Sequence, residues 1–381
     1  MRNTDRILTT HTGSLPRPAD LIEMIRSRQQ DPSSVDEAAF NARVHEAVIE
    51  VTQKQVDAGI DVVSDGEEGK PSYATYVKDR LTGFEGERRM PIRIQGEAAD
   101  FPEYTERRMA TTATILVRPT CNGPIAWKDF GAVERDIANF KEAADKAKPV
   151  GTFMTAASPG VVAFFLGNEY YKSDDEYLDA LTAVMKDEFE AIANAGFLLQ
   201  LDCPDLAMSR QSQFFDLSTS DFVKKVERHV EVVNEATKNI APEKMRLHLC
   251  WGNYEGPHHR DVEMRDIVNA VLKARPLELS FEGANPRHEW EWVVWKDVKL
   301  PDEKTLVPGV IDSTTNFIEH PELVAQRIMN YANLVGRERV IASVDCGFGT
   351  NAASTNVDPK IVWFKLQALA EGAQIASKQL W

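Results

Sequence analysis

The sequence predicts an α/β protein built as a single (β/α)8 barrel over residues 1–381, with a lid-like insertion at about 81–110. Three observations carry that prediction. Short apolar runs rich in β-branched residues alternate with amphipathic stretches, the pattern of parallel strands joined by helical crossovers. About eight such units can be counted, which favours closure over an open doubly wound sheet. No Gly-rich nucleotide fingerprint or P-loop stands at a strand end.

The elements follow in order. Ile7 to Thr10 reads as a strand ending in the loop Thr12-Gly13-Ser14-Leu15-Pro16, and a helix starts near Asp20. Phe40, Val44, Val48, Val51 and Val56 lie near helical spacing in a helix from Asp36 to Ala58, with Gly59 as its stop. Ile60 to Ser64 is a buried strand ending at Asp65-Gly66-Glu67. The polar, charge-rich stretch from Leu81 to Arg108 is the insertion, and Thr114 to Val117 is a strand ending at Arg118. Further strands are expected at Pro149–Met154, Phe197–Leu201, Met245–Cys250, Leu277–Glu282, Val307–Ile311 and Val340–Val344. Helices are expected at Asp175–Ala195, Thr219–Thr237, Asp266–Ala274, Pro321–Val335 and Val357–Ala370.

With 381 residues, 43% of them hydrophobic, the chain can bury one large core. A net charge of -15 argues against nucleic acid or an anionic membrane surface as partner. No run of roughly 18 apolar residues and no signal-like N-terminus is present, so a cytoplasmic protein is expected. Four cysteines in such a chain point to metal ligands, reactive thiols or core packing instead of disulfides.

Polar residues collect at the C-terminal ends of the strands: Ser14, Glu67, Arg118, Asp202, His248, Cys250, Glu282, Asp312 and Cys346. In a (β/α)8 barrel these ends converge on the face that carries active sites, although polar strand ends also serve ordinary turns. His248 and Cys250, two apart on one strand, point to the same side. With Cys346 they form a set that suits zinc, which prefers thiolate and imidazole donors. The plainer alternative is a core cysteine beside a hydrogen-bonded histidine. Glu282 is either a displaceable fourth ligand or a carboxylate that orients His248. Cys121 and Cys203 read as structural thiols, with substrate contact an alternative for Cys203. The pair His258-His259 looks metal-like but has no partner cluster in the sequence, so a surface or substrate-facing role is expected. Trp290, Trp292 and Trp295 are read as packing on the barrel exterior, or as a partial lid.

Together these motifs resemble the C-terminal catalytic half of cobalamin-independent methionine synthase, and within it the shorter single-barrel group called methionine synthase II-like, which includes epoxyalkane–coenzyme M transferases. The resemblance rests on Thr12-Gly13-Ser14-Leu15-Pro16-Arg17-Pro18, Asp65-Gly66-Glu67, Leu201-Asp202-Cys203-Pro204, His248-Leu249-Cys250, Glu282 and Asp345-Cys346-Gly347. It implies a (β/α)8 barrel, a Zn2+ cofactor held by His248, Cys250, Glu282 and Cys346, and methyl or alkyl transfer to a small thiol such as homocysteine. It also implies that Ser14, Glu67 and Asp202 hold the amino-acid part of that thiol. Arg118 is a candidate for an anionic group of either substrate. Where the family has Asp-Ile-His, with the histidine as proton donor, this chain reads Asp312-Ser313-Thr314-Thr315. Asp312 and His320 are the candidate catalytic residues, His320 as a substitute for the missing histidine, with the start of a helix as its alternative role. Cys203 replaces a family glutamate, and no tryptophan stands where one faces the folate ring.

Three readings follow: a zinc-dependent transferase moving a methyl or alkyl group to a small thiol, with methylfolate as donor put in doubt; thiol addition to an epoxide on the same zinc; and a non-catalytic zinc or small-molecule binding barrel. The related uroporphyrinogen decarboxylases need no metal, so the ligand set argues against their chemistry. The partners expected are the thiol and its alkyl donor, with a homo-oligomer left open.

Overall fold

The computed structural model describes residues 2–86, 96–111, 118–353 and 356–381. Among these, seven parallel strands form one sheet in chain order: β1 (Val62–Val63), β2 (Gly151–Ala157), β3 (Leu198–Asp202), β4 (Met245–Leu249), β5 (Glu278–Phe281), β6 (Thr305–Ile311) and β7 (Ser343–Val344). The order never reverses, which separates this sheet from a doubly wound one. The expected strand at Thr114–Val117 and the insertion residues 87–95 lie outside the described residues.

Residues 8–10 bond to both ends of the sheet. Thr10 N–H donates to Ala342 O and Ala342 N–H donates to Leu8 O, both at 2.9 Å, while Val62 N–H donates to Thr9 O at 3.0 Å. The sheet interior holds a buried ion pair, Arg246 Nε on Glu278 Oε2 at 2.8 Å, with both side chains 1% exposed. Arg246 also lies over the Phe153 ring at 5.0 Å. Burying two charges is tolerable because they face each other inside the layer of side chains.

The helices pack outside. They are α1 (Ala19–Gln30), α2 (Glu37–Asp57), α3 (Val77–Arg80), α4 (Glu97–Asp100), α5 (Pro102–Thr111), α6 (Gly131–Ala147), α7 (Pro159–Phe165), α8 (Asp174–Asn194), α9 (Thr219–Ala236), α10 (Met264–Val271), α11 (Pro321–Val335) and α12 (Pro359–Leu380). Their starts follow capping chemistry. Asp36 accepts from Ala38 N and Ala39 N before α2, Ser173 from Glu176 N before α8, and Ser218 from Asp221 N before α9. The apolar stripe of α2 buries Phe40, Val44, Val48 and Val51 as its spacing requires, and Gly59 ends it with φ +85°.

Some elements differ from expectation. α6 and α7 were not anticipated, and β1 spans two residues where five were expected. α12 runs ten residues past Ala370, through Gly372. A Cβ on Gly372 would meet Val324 Cγ1 at 2.4 Å, so the glycine lets α11 and α12 approach closely instead of breaking the helix. Trp290 is 38% exposed and Trp295 is 4% exposed, on a 3-10 segment, Glu289–Lys296. α4 and α5 dock on the loop after β4: Arg108 lies over the Tyr254 ring at 4.2 Å, and Asp100 accepts from Arg260 Nη2 at 2.8 Å. No helix among the described residues is long and apolar enough to cross a membrane.

Candidate metal centre

Parallel register brings the strand ends together: Ala157 opposite Asp202, Asp202 opposite His248, and His248 opposite Ser280. His248 on β4, Cys250 one residue beyond its end and Cys346 just after β7 then place their donor atoms within 4.8 Å of one another, all buried. Cys346 Sγ lies 3.8 Å from His248 Nε2 and 3.6 Å from Glu282 Oε1. Glu282 follows β5 and is also tied down: Oε1 accepts from Trp251 N–H and Oε2 from Asn285 Nδ2, both at 2.7 Å.

These residues fit a thiophilic cation. His248 Nδ1 faces the Ser280 hydroxyl at 3.2 Å, and in the tautomer that donates there Nε2 turns its lone pair toward Cys346. Burial, reinforced by the Arg246 charge, pulls His248 down to about 3, so the ring stays neutral and able to coordinate. Burial also pushes the Cys346 thiol well up, with the Cys250 thiol adding to it. Two buried sulfurs that resist ionisation alone become ligands when a cation takes the place of their protons.

Second interactions hold the ligand loops, and sequence reasoning missed them. Cys346 N–H donates to Ser313 Oγ at 3.1 Å, Ser313 Oγ donates to Asn253 Oδ1 at 2.9 Å, and Asn253 Nδ2 donates to Gly347 O at 2.6 Å. Asp345 accepts at Oδ1 from Gly283 N and Ala284 N and at Oδ2 from Asn285 N, so it sets the turn after Glu282. A Cβ on Gly347 would stand 2.0 Å from Ser14 Oγ, and this glycine brings the Ser14 loop against the Cys346 loop. Ser14, Ser313, Asp345 and Gly347 stood in the quoted motifs, but their contacts join loops far apart in sequence, and Asn253 carried no motif at all.

The other predicted residues divide. Glu67 is 1% exposed, takes an unusual φ of 59°, and accepts from Thr155 Oγ1 at 2.7 Å through Oε1. Its Oε2 is buried with no partner. Asp202 accepts from Gln200 Nε2 at 2.9 Å, and burial followed by the Glu67 charge holds its carboxyl well above the usual range. The pair thus forms an acidic, donor-seeking corner. Arg118 is half-buried with its guanidinium 4.8 Å over the Phe165 ring. Tyr73 was not anticipated: it stacks edge-on to Phe165 at 5.9 Å, and burial, then the charges of Cys250, Asp202 and Cys346, pushes its phenol well up.

The pair Asp312 and His320 is not brought together as a catalytic unit. Asp312 is consumed by its own turn, accepting from Thr314 N and Thr314 Oγ1 at 2.9 and 2.8 Å and from Thr315 Oγ1 at 2.6 Å. His320 is exposed and caps α11, its Nδ1 accepting from Glu322 N at 3.2 Å. Cys203 and Cys121 are fully buried. His258 corrects the sequence reading: it does have a partner cluster, since it groups with Asp261 and His288, all buried.

No protein-family model matches the chain. Full-length relatives do. The chain is 27% identical over 380 residues to a methionine synthase of Saccharolobus solfataricus, covering 98% of this chain and 95% of that one. It is 24% identical over 375 residues to a methionine synthase of Thermococcus kodakarensis, at 98% and 94% coverage. Among solved structures, a B12-independent methionine synthase from Shewanella sp. W3-18-1 in complex with selenomethionine superposes with a TM-score of 0.73 at 20% identity, covering 98% of this chain and 99% of that one. The resemblance read from the motifs therefore extends over nearly the whole chain, and the shared fold is an α/β fold with a curled parallel sheet.

Proposed function

We propose that the chain is a zinc-dependent transferase that moves a methyl or alkyl group to a small thiol, homocysteine or an analogue, on a closed (β/α)8 barrel. The convergence of His248, Cys250 and Cys346 at three strand ends carries the reading. The bonds from residues 8–10 to both outer strands support closure, with that segment as the eighth strand. The full-length similarity to proteins named methionine synthase supports the reaction class.

Zinc, when bound, supplies ionisation of the acceptor thiol at neutral pH. His248, Cys250 and Cys346 would hold it, with Glu282, whose Oε1 lies 3.6 Å from Cys346 Sγ, as the oxygen ligand. The rest falls to the chain's own groups. Glu67 Oε2 and Asp202 offer carboxylate oxygens to an ammonium group, which would give Glu67 Oε2 the donor it lacks. Arg118 and Tyr73, both set against Phe165, offer a cation and a hydroxyl to an anionic substrate group. The α4–α5 segment, docked on the loop after β4, is the candidate cover.

Metal analysis tests the reading. Wild-type protein is expected to bind zinc stoichiometrically, and Cys250→Ser or Cys346→Ser should each remove the ion from this centre and abolish thiol alkylation. Zinc content unchanged by either substitution would sink it.

A specific observation favours an epoxide or other activated alkyl donor over methylfolate. The residues aligned with the family's proton-donating histidine are hydroxyls already engaged, Ser313 on Asn253 and Thr314 and Thr315 on Asp312. Turnover with methyltetrahydrofolate and homocysteine would exclude this second reading.

A further inference from the structure

Behind Trp251 lies a second group of donors that the proposed reaction does not use: His258, Asp261, His288 and Glu291, between 2% and 9% exposed. They come from two segments, the loop after β4 and the turn after β5. His258 Nδ1 and His288 Nε2 converge on one oxygen, Asp261 Oδ2, at 2.8 and 3.0 Å. The other oxygen, Asp261 Oδ1, is buried without a partner.

The outer nitrogens decide where the protons sit. His258 Nε2 faces the Tyr254 carbonyl oxygen at 3.0 Å, and His288 Nδ1 faces Glu291 Oε2 at 3.1 Å. Both partners can only accept, so each outer nitrogen carries its ring's N–H. A neutral imidazole has one N–H. Both inner nitrogens then direct lone pairs at a carboxylate oxygen that has no proton to give. Protonation resolves this conflict, and so does a cation at the point where the lone pairs meet. A cation there also gives the unpartnered Asp261 Oδ1 something to bind. That arrangement matches the way metal-bound histidines are held, each with its far N–H on a carboxylate or backbone carbonyl.

We propose that His258 Nδ1, His288 Nε2 and the Asp261 carboxylate form a second divalent-metal site, selective for zinc or a similar nitrogen- and oxygen-ligated ion. Their donor atoms lie within 4.8 Å of one another. The set holds no sulfur, so its preference differs from that of the Cys250–Cys346 centre. The two centres share no ligand but adjoin through Trp251, whose N–H bonds Glu282 Oε1 at 2.7 Å and whose ring stacks on His288 with centroids 4.0 Å apart. Metal binding displaces any proton on the ligating ring nitrogens and is expected to weaken as pH falls.

Titration of wild-type protein with Co2+ is the test, because it needs no variant to fold. Two equivalents are expected. One brings thiolate-to-cobalt charge-transfer absorption, and the other adds ligand-field bands without more of it. In Cys250→Ser/Cys346→Ser only the sulfur-free equivalent should remain; in Asp261→Asn or His288→Gln only the sulfur-bound one. A wild-type titration that ends at the sulfur-bound equivalent overturns the second site and leaves the first intact. So does a sulfur-free equivalent that persists in both Asp261→Asn and His288→Gln. Loss of the charge-transfer band alone would instead count against the thiol-activating centre.

Discussion

A single hydroxyl illustrates how finely the centre is set. Ser280 stands opposite His248 in register and fixes the ring through Nδ1. Ser280→Ala should leave the fold intact and lower zinc affinity by about 10- to 100-fold, the usual cost of losing such a support, as measured by competition with a chelator. His11 gives a pH prediction of defined sign. It is buried beside Gln55, its Nε2 2.7 Å from Oε1, and burial lowers its pKa from 6.5 to about 4. The unfolded chain takes up a proton there near pH 6.5 while the folded one does not. Stability is therefore full above about 6.5, falls as pH drops toward 4, and loses roughly 3 kcal/mol from this group. Urea midpoints measured across that window should show the slope, and His11→Gln should remove one proton's worth of it.

At the scale of elements, α12 is fastened to the end of β6 by a buried pair. Lys365, fully buried, donates to Glu319 Oε2 at 2.8 Å, and Glu319 Oε1 accepts from Asp312 N–H at 2.9 Å. Lys365→Ala leaves a buried carboxylate unpaired and should cost about 3–5 kcal/mol in denaturant unfolding, more than an exposed lysine would. This scale also shows what was legible in the sequence. Helix and strand periods located most elements, because burial on one face writes itself into a chain every two or three to four residues. His248 and Cys250 were legible for the same reason. The His258 cluster was not, because Asp261 lies one turn away and His288 comes from another loop, about thirty residues on, so no local spacing marks it. Asp312 and His320 were ambiguous in the sequence because strand ends and helix caps draw the same residue types as active sites do, and in the structure they make turn and cap hydrogen bonds.

At the scale of the molecule, the proposed closure rests on residues 8–10. If the barrel is closed, the amides of Thr10, Val62 and Ala342 should exchange with solvent together and only on global unfolding. Faster exchange at Thr10 alone would mean that the sheet ends part from each other. If zinc binds as proposed, chelating it should lower the midpoint of the whole cooperative transition, because the proposed ligands stand at the ends of β4, β5 and β7 and would couple the sheet to the ion.

Trp251 has a consequence for anyone who would rebuild this protein. Its amide steadies Glu282 while its ring lies on His288. The loop that starts at Cys250 is therefore not a portable cassette. Grafting it onto another barrel without the 285–291 turn would leave the indole unsupported and the carboxylate free to swing, and a library that varies one segment while holding the other fixed would recover mostly inactive chimeras.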